Sequence, residues 1–184
     1  SNALVLNNAS SKLLLSNSIT VDSVRTSLAS LGLDVDNNST ITALSVGHIT
    51  PVSIASGRSL SGAITVTAGS LKLTEAGTLA STISMSGGVL DADNSLTVSG
   101  TLTQSGAITI DVADNKTLTY SGTAISLGAN TLTLSGEGRL SNSNALVLNN
   151  ASSKLLLSNS ITVDSVRTSL ASLGLDVDNN STIT

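Results

Sequence analysis

The sequence predicts an all-β protein folded as a parallel β-solenoid, on three observations. The first is an internal repeat, because residues 1–42 recur letter for letter as residues 143–184. The second is a short strand phrase that ends in Ser-Gly and recurs along the chain. The third is a core composition of Leu, Ile and Val with no Phe, Trp or Cys, which suits a narrow interior. Repeats of short strands are typical of stacked coils, in which each unit contacts its neighbours.

The repeat sets the predicted domain organisation. Residues 1–142 are expected to form one complete solenoid repeat, and residues 143–184 begin the next one. With about 20 residues per coil, the complete repeat would hold about seven coils. The second copy stops at Thr184, whereas the first continues from Thr42 into Ala43. We interpret the chain as a window onto a longer tandem array.

The strand phrase is Leu or Ile, then Thr or Ser, then any residue, then Ser-Gly. In a strand, alternate side chains face opposite sides, so the aliphatic residue would point inward and the hydroxyl outward. The final glycine would allow a tight corner. The phrase occurs five times, at 83–87, 96–100, 102–106, 118–122 and 132–136.

The part of the chain before Gly62 is less regular. Residues 3–6, 12–16 and 33–38 alternate like strands and end near Asn, a residue that tolerates tight turns. The segment 43–61 contains Pro51 and is expected to be a longer loop on one side of the solenoid.

Helical spacing appears once in each copy, between Asp22 and Gly32 in the first. Val24, Leu28 and Leu31 fall at i, i+4 and i+7. Asp22 could cap the start of a helix and Gly32 could close its end. The sequence therefore predicts one short helical segment per repeat, packed over the edge of a coil.

Composition narrows the function classes. The chain has 12 acidic and 8 basic residues, for a net charge of −4, and no basic patch with interleaved aromatics, which argues against nucleic acid as a partner. Apolar residues make up 40% of the chain, so it is expected to fold. No apolar run approaches the ~18 residues of a membrane-spanning helix.

Catalytic residues are not expected. The chain has no Cys and a single histidine, His48, and it lacks a G-x-S-x-G nucleophile motif. Some β-helical enzymes cleave polysaccharides with converging carboxylates. The only pairs that could act this way are Asp91 with Asp93 and Asp111 with Asp114. We predict that the chain is not an enzyme.

Three Asp-Asn clusters, at 34–37, 91–94 and 111–115, could offer oxygen ligands to Ca²⁺. Neither the EF-hand loop nor the glycine-rich nonapeptide repeat is present. We interpret the clusters as solvated turn residues and predict no metal site and no cofactor, with Ca²⁺ as the open alternative.

Thr-x-Thr pairs could form a flat ladder that orders water or meets a crystal surface. Successive pairs are unevenly spaced along the sequence, too unevenly for one pair per coil on one face. Thr is also a good outward strand residue. The pairs are Thr40/Thr42, Thr65/Thr67, Thr101/Thr103, Thr117/Thr119 and Thr131/Thr133.

The stretches at 100–122 and 129–140 resemble the β-solenoid repeats of large bacterial surface proteins, namely filamentous-haemagglutinin-type adhesins and autotransporter passenger domains. The resemblance is best over residues 63–148. It implies a right-handed parallel β-helix, secretion, and a place outside the cell or on its surface.

On this basis the expected function is structural: the shaft of a cell-surface adhesin, or a component of an extracellular filament or sheath. The expected partners are neighbouring identical repeats stacked end to end, with other filaments or cell-surface glycans as further candidates. The alternative is a binding module in which one solenoid face contacts a glycan, a mineral or ice.

Overall fold

A computed structural model describes residues 2–169, 174–178 and 180–184 of the chain. Within these ranges all regular structure is β-strand, and every strand pair is parallel. Each strand pairs with strands one coil before and after it, at sequence separations such as the 19 from Lys72 to Asp91 and the 24 from Asp111 to Ser135. This is the arrangement of a β-solenoid, and it confirms the predicted fold class. Each coil contributes strands to three faces, which we call faces 1, 2 and 3 in the order in which the chain passes through them.

Face 1 is a sheet with one strand from each of nine successive coils. Leu13 and the identical Leu155 lie on strands seven steps apart in this sheet. The strands are β2 (Lys12–Leu15), β4 (Gly32–Val35), β6 (Thr50–Ile54), β8 (Ser70–Leu73), β11 (Val89–Ala92), β14 (Ile108–Val112), β17 (Thr131–Gly136), β20 (Lys154–Leu157) and β23 (Gly174–Val177).

Faces 2 and 3 share their strands in the early coils. β3 (Thr20–Thr26), β5 (Ser39–Val46) and β7 (Ser59–Val66) are long strands that bend from face 2 into face 3. Above β7 the two faces separate, since its start pairs with β9 (Thr78–Leu79) and its end pairs with β10 (Thr82–Met85). Face 2 then continues through β12 (Leu96–Val98), β15 (Thr117–Tyr120), β18 (Arg139–Asn142), β21 (Thr162–Val163) and β24 (Thr182–Ile183).

Face 3 begins with β1 (Leu4–Leu6), which pairs with the end of β3. Beyond β10 it continues through β13 (Leu102–Gln104), β16 (Ile125–Ser126), β19 (Leu146–Leu148) and β22 (Val166–Thr168). β13 and β16 are not joined as a ladder, so this face is interrupted. Two side chains bridge the interruption: Tyr120 Oη accepts the Leu102 N–H at 3.0 Å, and Gln104 Nε2 donates to the Leu127 carbonyl at 3.1 Å.

The core is a set of aliphatic columns that run along the solenoid axis. Leu33, for example, lies in register with Leu13 below it and Val52 above it, and is only 1% exposed. A short strand cannot bury a face alone, so its apolar side chains are covered by the coils on either side. The first aliphatic residue of each of the five Ser-Gly phrases is buried, as predicted.

Glycine is needed in those phrases mainly because adjacent coils approach closely there, and less because of a left-handed backbone conformation. A Cβ atom on Gly100 would lie 1.8 Å from the carbonyl oxygen of Ser81 in the coil below. Gly136 combines a similar approach to Val112 with a left-handed φ of 93°. The coils therefore meet at these corners at a distance that only glycine permits.

The predicted helix between Asp22 and Gly32 is wrong. The segment continues β3 as far as Thr26, and Val24 is fully buried between Leu4 and Leu44 of the adjacent coils. Leu28, one of the three residues of the helical pattern, is 51% exposed at the following bend. Pairing on both edges outweighs a helical pattern only a few turns long, because such short helices are marginal alone. In the second copy, residues 170–173 lie outside the described residues.

The predicted loop over residues 43–61 is also wrong. Most of this segment lies in β5, β6 and β7, and it includes Pro51 inside β6. Pro51 lies in register with Lys72 of the next coil. Val52 and Ile54 alternate inward from β6 and join the columns of Leu33 and Val35. Proline usually disfavours the middle of a sheet, but Pro51 is tolerated here because Val52 and Ile54 on the same strand complete the core.

Candidate functional site: a hydroxyl face and an acidic ladder

Face 3 carries a regular array of outward hydroxyl groups across three successive coils. Thr65, Ser84 and Thr103 are in register with one another and equally spaced along the sequence. The positions two residues before and after them, within these strands or next to their ends, add further hydroxyls at the same spacing. We call this surface the hydroxyl face; it consists of Thr65, Thr67, Thr82, Ser84, Ser86, Thr101, Thr103 and Ser105.

The spacing of the hydroxyl face follows from strand geometry. Adjacent strands lie about 4.8 Å apart, and alternate side chains along one strand are about 6.6 Å apart. All eight side chains are uncharged, and seven of them are exposed, with Thr101 partly buried. An open depression of about 290 Å³ lies over the array, lined by Thr65, Ser84, Thr103 and their neighbours. The surface is therefore a two-dimensional lattice of hydroxyl groups without fixed charge.

Some of these hydroxyls are oriented by the strands beneath them. Thr103 Oγ1 lies 3.3 Å from Ser84 Oγ and 3.4 Å from the Ile83 carbonyl, to which it donates. Thr82 Oγ1 donates to the Gly62 carbonyl at 3.3 Å. A hydroxyl has one donor and two acceptor sites, so each oxygen that donates inward can still accept from a partner outside.

The five Thr-x-Thr pairs do not form one ladder, and the structure places them on all three faces. Thr65/Thr67 and Thr101/Thr103 belong to the hydroxyl face, two coils apart. Of the others, Thr117/Thr119 lie in β15 on face 2 and Thr131/Thr133 in β17 on face 1, while Thr40 contacts Ser61 Oγ at 2.7 Å on face 2. The Thr-x-Thr pattern alone does not show the array, because the middle row contains Ser84 and Ser86 beside Thr82. Treating Ser and Thr as equivalent reveals the even spacing.

Face 1 carries a second cluster, which we call the acidic ladder: Lys72, Asp91, Asp93 and Asp111. Lys72, Asp91 and Asp111 are in register on three successive strands. Lys72 Nζ donates to Asp91 Oδ2 at 3.1 Å and to Asp93 Oδ1 at 2.9 Å. Asp111 accepts a hydrogen bond from the hydroxyl of Ser135 in the coil above. An ammonium group thus bridges the predicted Asp91/Asp93 pair.

The pKa values of Lys72 and Asp91 are both raised, but for different reasons. Hydrogen bonding to Asp93 and Asp91 raises the pKa of Lys72 above its usual value, against the opposing effect of burial. The pKa of Asp91 is also raised, because burial disfavours the carboxylate by more than Lys72 favours it. The Asp91 side chain is only 19% exposed, and its acidic neighbours Asp93 and Asp111 act in the same direction as burial.

The remaining predicted candidates are dispersed. Asp114 accepts a hydrogen bond from Asn115 Nδ2 at 2.8 Å at a turn where Asn115 has a φ of 56°, whereas Asp111 lies within β14 and bonds Ser135. Asp34 forms an ion pair with Lys12. His48 is exposed at a bend, and its carbonyl accepts from Thr50 Oγ1 at 3.1 Å.

No group of three or more His, Cys, Asp or Glu side chains in the described part of the chain is arranged to hold a metal ion. The same residues include no helix long and apolar enough to cross a membrane. No protein-family profile, no curated protein and no solved structure matches the sequence or the fold of this chain.

Proposed function

We propose that the chain is a structural segment of a long extracellular repeat protein, forming part of the shaft of a cell-surface adhesin or of a filament or sheath. The observation that supports this most is the continuity of the stack. Face 1 passes through nine coils without interruption, and its buried columns run along the same axis. A rod of this kind gains length by adding coils, without a new core for each addition.

The mechanism follows from the direction of the hydrogen bonds. Bonds between stacked parallel strands run from one coil to the next, so backbone bonds on face 1 hold every junction between its nine coils. Buried aliphatic columns exclude water from the interior. The outward Ser and Thr side chains keep the surface polar at low net charge. The extracellular and bacterial-surface part of the proposal rests on the sequence resemblance.

The length of longer arrays tests the shaft. Chains extended by one, two and three further copies of the 1–142 repeat would be compared by negative-stain electron microscopy and small-angle X-ray scattering. Seven coils at about 4.8 Å each predict an increment of roughly 34 Å per repeat, at constant cross-section. Particles that instead become wider, or that form separate globules on a string, would contradict the proposal.

A second function is favoured by the hydroxyl face, namely binding of this surface to a glycan, a mineral or ice. The absence of charge on its eight residues favours a neutral hydroxylated surface, such as ice or an uncharged glycan, over a charged mineral. Shape and periodicity would provide recognition, because every row repeats the same hydroxyl spacing.

Matched lysine substitutions test this second function. Ser84→Lys places a long charged side chain in the middle of the hydroxyl face, and Thr133→Lys places one outward on face 1 as the control. Ice-recrystallisation inhibition and co-sedimentation with insoluble neutral polysaccharide would be measured for both. A binder loses its activity with Ser84→Lys and keeps it with Thr133→Lys. If the unsubstituted chain has neither activity, the binding function is excluded and the shaft proposal is unaffected.

A further inference from the structure

Three large aliphatic side chains, which we call the corner patch, are exposed on one corner of the solenoid. Leu28 and Leu31 are 51% and 56% exposed in the turn between β3 and β4, and Ile49 is 54% exposed in the turn between β5 and β6. Both turns lie on the corner between faces 3 and 1, in adjacent coils. The chain has a further turn below them, at 7–11, and one above them, at 67–69. Their exposure is therefore a property of the corner and not of the ends of the chain.

The other exposed large aliphatic side chains of the described residues have a different origin, because all of them lie in the first or the last coil. They are Leu4, Val5, Leu14, Ile19, Leu175, Val177 and Ile183. Within the described ranges, the corner patch is thus the only group of this kind on coils that have a neighbour on both sides. A contiguous apolar group on a solvated surface is typical of an interaction site.

Burial at this corner is the reverse of what folding alone would favour. Thr26 at the end of β3 and Thr50 at the start of β6 are 3% and 0% exposed. Their hydroxyl oxygens lie 2.9 Å apart in the interior, while Ile49, next to Thr50 in the chain, is exposed. Burial of apolar side chains stabilises a fold, so folding does not account for aliphatic groups outside and hydroxyls inside.

The corner between faces 3 and 1 also differs in charge from the corner between faces 1 and 2. Its turns contain no Asp, Glu, Lys or Arg, and they comprise residues 7–11, 27–31, 47–49, 67–69, 86–88, 105–107, 127–130 and 149–153. Between residues 16 and 138, the turns on the other corner carry Asp36, Arg58, Glu75, Asp93, Asp114, Lys116 and Glu137. Two copies of the chain, each with a net charge of −4, can therefore meet at the uncharged corner without placing like charges opposite each other.

A second copy of the chain fits this surface better than a partner of other chemistry. A charged partner or an anionic membrane would find no lysine or arginine in the turns of this corner. A second copy presents the same aliphatic patch, and a two-fold axis between the copies places patch against patch. The same axis leaves the charged corner of each copy away from the contact.

We propose that arrays of this repeat associate side by side in pairs, with the corner patch of one array facing the corner patch of the other across a two-fold axis. The interaction deepens the proposed shaft function and rests on it, because it supplies the contact between neighbouring rods of a filament or sheath.

The size of the patch predicts how this pairing depends on array length. Three half-exposed side chains are too few for a stable pair, since a stable interface usually buries about 800 Å² per partner. In an array the patch recurs every seven coils, or roughly 34 Å, and both rods have the same period. The contacts of successive repeats therefore act together, because the first contact raises the effective concentration for the next.

The number of repeats tests this dependence directly. The 184-residue chain and arrays extended by one, two and three copies of residues 1–142 would be compared by sedimentation equilibrium. The dissociation constant of the pair should fall at least about tenfold with each added copy, since linked contacts typically gain about 10²–10⁴ in affinity. The longest arrays should form dimers and nothing larger. A dissociation constant that is independent of repeat number, or no association of the longest array, would overturn the proposal.

Matched lysine substitutions locate the contact. Ile49→Lys in every repeat places a charge in the corner patch, and Ser56→Lys places the same charge on the exposed turn at the other end of β6. Both positions are exposed, so the circular dichroism spectrum should not change. The Ile49→Lys array should sediment as a monomer, whereas the Ser56→Lys array should pair like the unsubstituted one. Pairing that survives Ile49→Lys, or that is lost equally in both variants, would refute the assignment of the patch.

Cross-linking provides an independent measurement, because the chain has no cysteine of its own. Under mild oxidation, arrays with Ile49→Cys in each repeat should form disulfide-linked pairs, and the Ser56→Cys control should form far fewer. Equal yields would contradict a contact at this corner.

The Ile49→Lys arrays also keep this inference apart from the shaft proposal, because they remain single rods whose length can be measured without pairing. If they lengthen by roughly 34 Å per added copy while the unsubstituted arrays do not pair, the inference fails and the shaft stands. If they do not lengthen, both proposals fail.

Discussion

The two copies of the repeat have one sequence and two different environments. Ile19 is 48% exposed at the lower end, whereas the identical Ile161 is fully buried. The difference is reversed further along, where Leu33 is 1% exposed and Leu175 is 43% exposed. In each case the buried copy has coils on both sides and the exposed copy has a coil on only one. The comparison shows that burial in this molecule is decided by neighbouring coils, because the local sequence is the same.

Neighbours also influence the strands themselves. In the first copy β3 runs unbroken from Thr20 to Thr26, paired with the long β5 above it. In the second copy the same sequence forms two separate strands, β21 and β22. A turn residue changes too, since Asn159 has a left-handed φ of 60° and its equivalent Asn17 does not. Strand length is therefore a property of the stack as well as of the residues.

The largest expected effect comes from truncating the same leucine in each copy. Leu33→Ala removes a fully covered side chain and should lower the free energy of unfolding by about 2–5 kcal/mol. Leu175→Ala removes a side chain that is 43% exposed and should cost about 1–2 kcal/mol. Urea denaturation monitored by circular dichroism measures both. Equal losses would mean that the two copies are buried alike.

The glycine pair should give the next largest difference. Ala at position 32 would place its Cβ against the Pro51 carbonyl, at a position whose φ of 84° already favours glycine. Ala at position 174 meets the same backbone preference but no neighbouring atom. Overpacking typically costs about 1–3 kcal/mol, so Gly32→Ala should be less stable than Gly174→Ala by roughly that amount. Thermal melting of the two variants measures this difference in stability. Equal melting temperatures would rule out the close approach of the coils at Gly32.

The acidic ladder extends the comparison to charged side chains on coils that have a neighbour on both sides. Because the folded-state pKa of Asp91 is raised, the folded protein binds a proton more tightly than the unfolded chain does. Stability should therefore fall as pH rises from about the ordinary carboxyl pKa through the raised value. Asp91→Asn should remove this loss, whereas Lys72→Met should extend it to higher pH, since Lys72 lowers the pKa of Asp91. Unfolding measured from pH 3 to 8 tests both directions, and a slope that survives Asp91→Asn must come from another group.

The smallest effect is expected from the ion pairs at the two ends. Lys12 pairs with Asp34 in the first copy, and Lys154 lies 3.6 Å from Asp176 in the second. The lysine side chains are 45% and 38% exposed, and such pairs contribute at most about 1 kcal/mol. Lys12→Met and Lys154→Met should each change the unfolding free energy by less than that amount. A loss of several kcal/mol in either variant would indicate a contact other than a surface ion pair.

Much of the fold was predictable because its determinants are local and repeated. The Ser-Gly phrase contains both the strand alternation and the corner glycine, and Leu102 and Leu118 are buried as the alternation requires. The helix prediction is wrong because the i, i+4, i+7 spacing of Val24, Leu28 and Leu31 carries no information about the coils on either side. Val24 is held in a strand by its partners in the coils on either side, which no local pattern contains.

The surface sites were less predictable, because they depend on which residues come into register. Coil length varies, with a sequence separation of 19 between Lys72 and Asp91 but 24 between Asp111 and Ser135. Such pairs therefore cannot be aligned by counting a fixed repeat. The hydroxyl face could be predicted from the sequence, since its three rows are evenly spaced along the chain. The Thr-x-Thr pattern does not contain it, because Ser84 and Ser86 in its middle row present the same hydroxyl without being threonine.

Thiol labelling of single cysteines in the two copies tests the central claim most directly. Leu33→Cys and Leu175→Cys place the same reporter in the same local sequence, in a chain that has no other cysteine. The reaction with a thiol reagent would be followed at a concentration where sedimentation shows only monomer. The account predicts rapid labelling at position 175 and strong protection at position 33, because coils cover only the latter from both sides. Equal labelling rates at the two positions would contradict it.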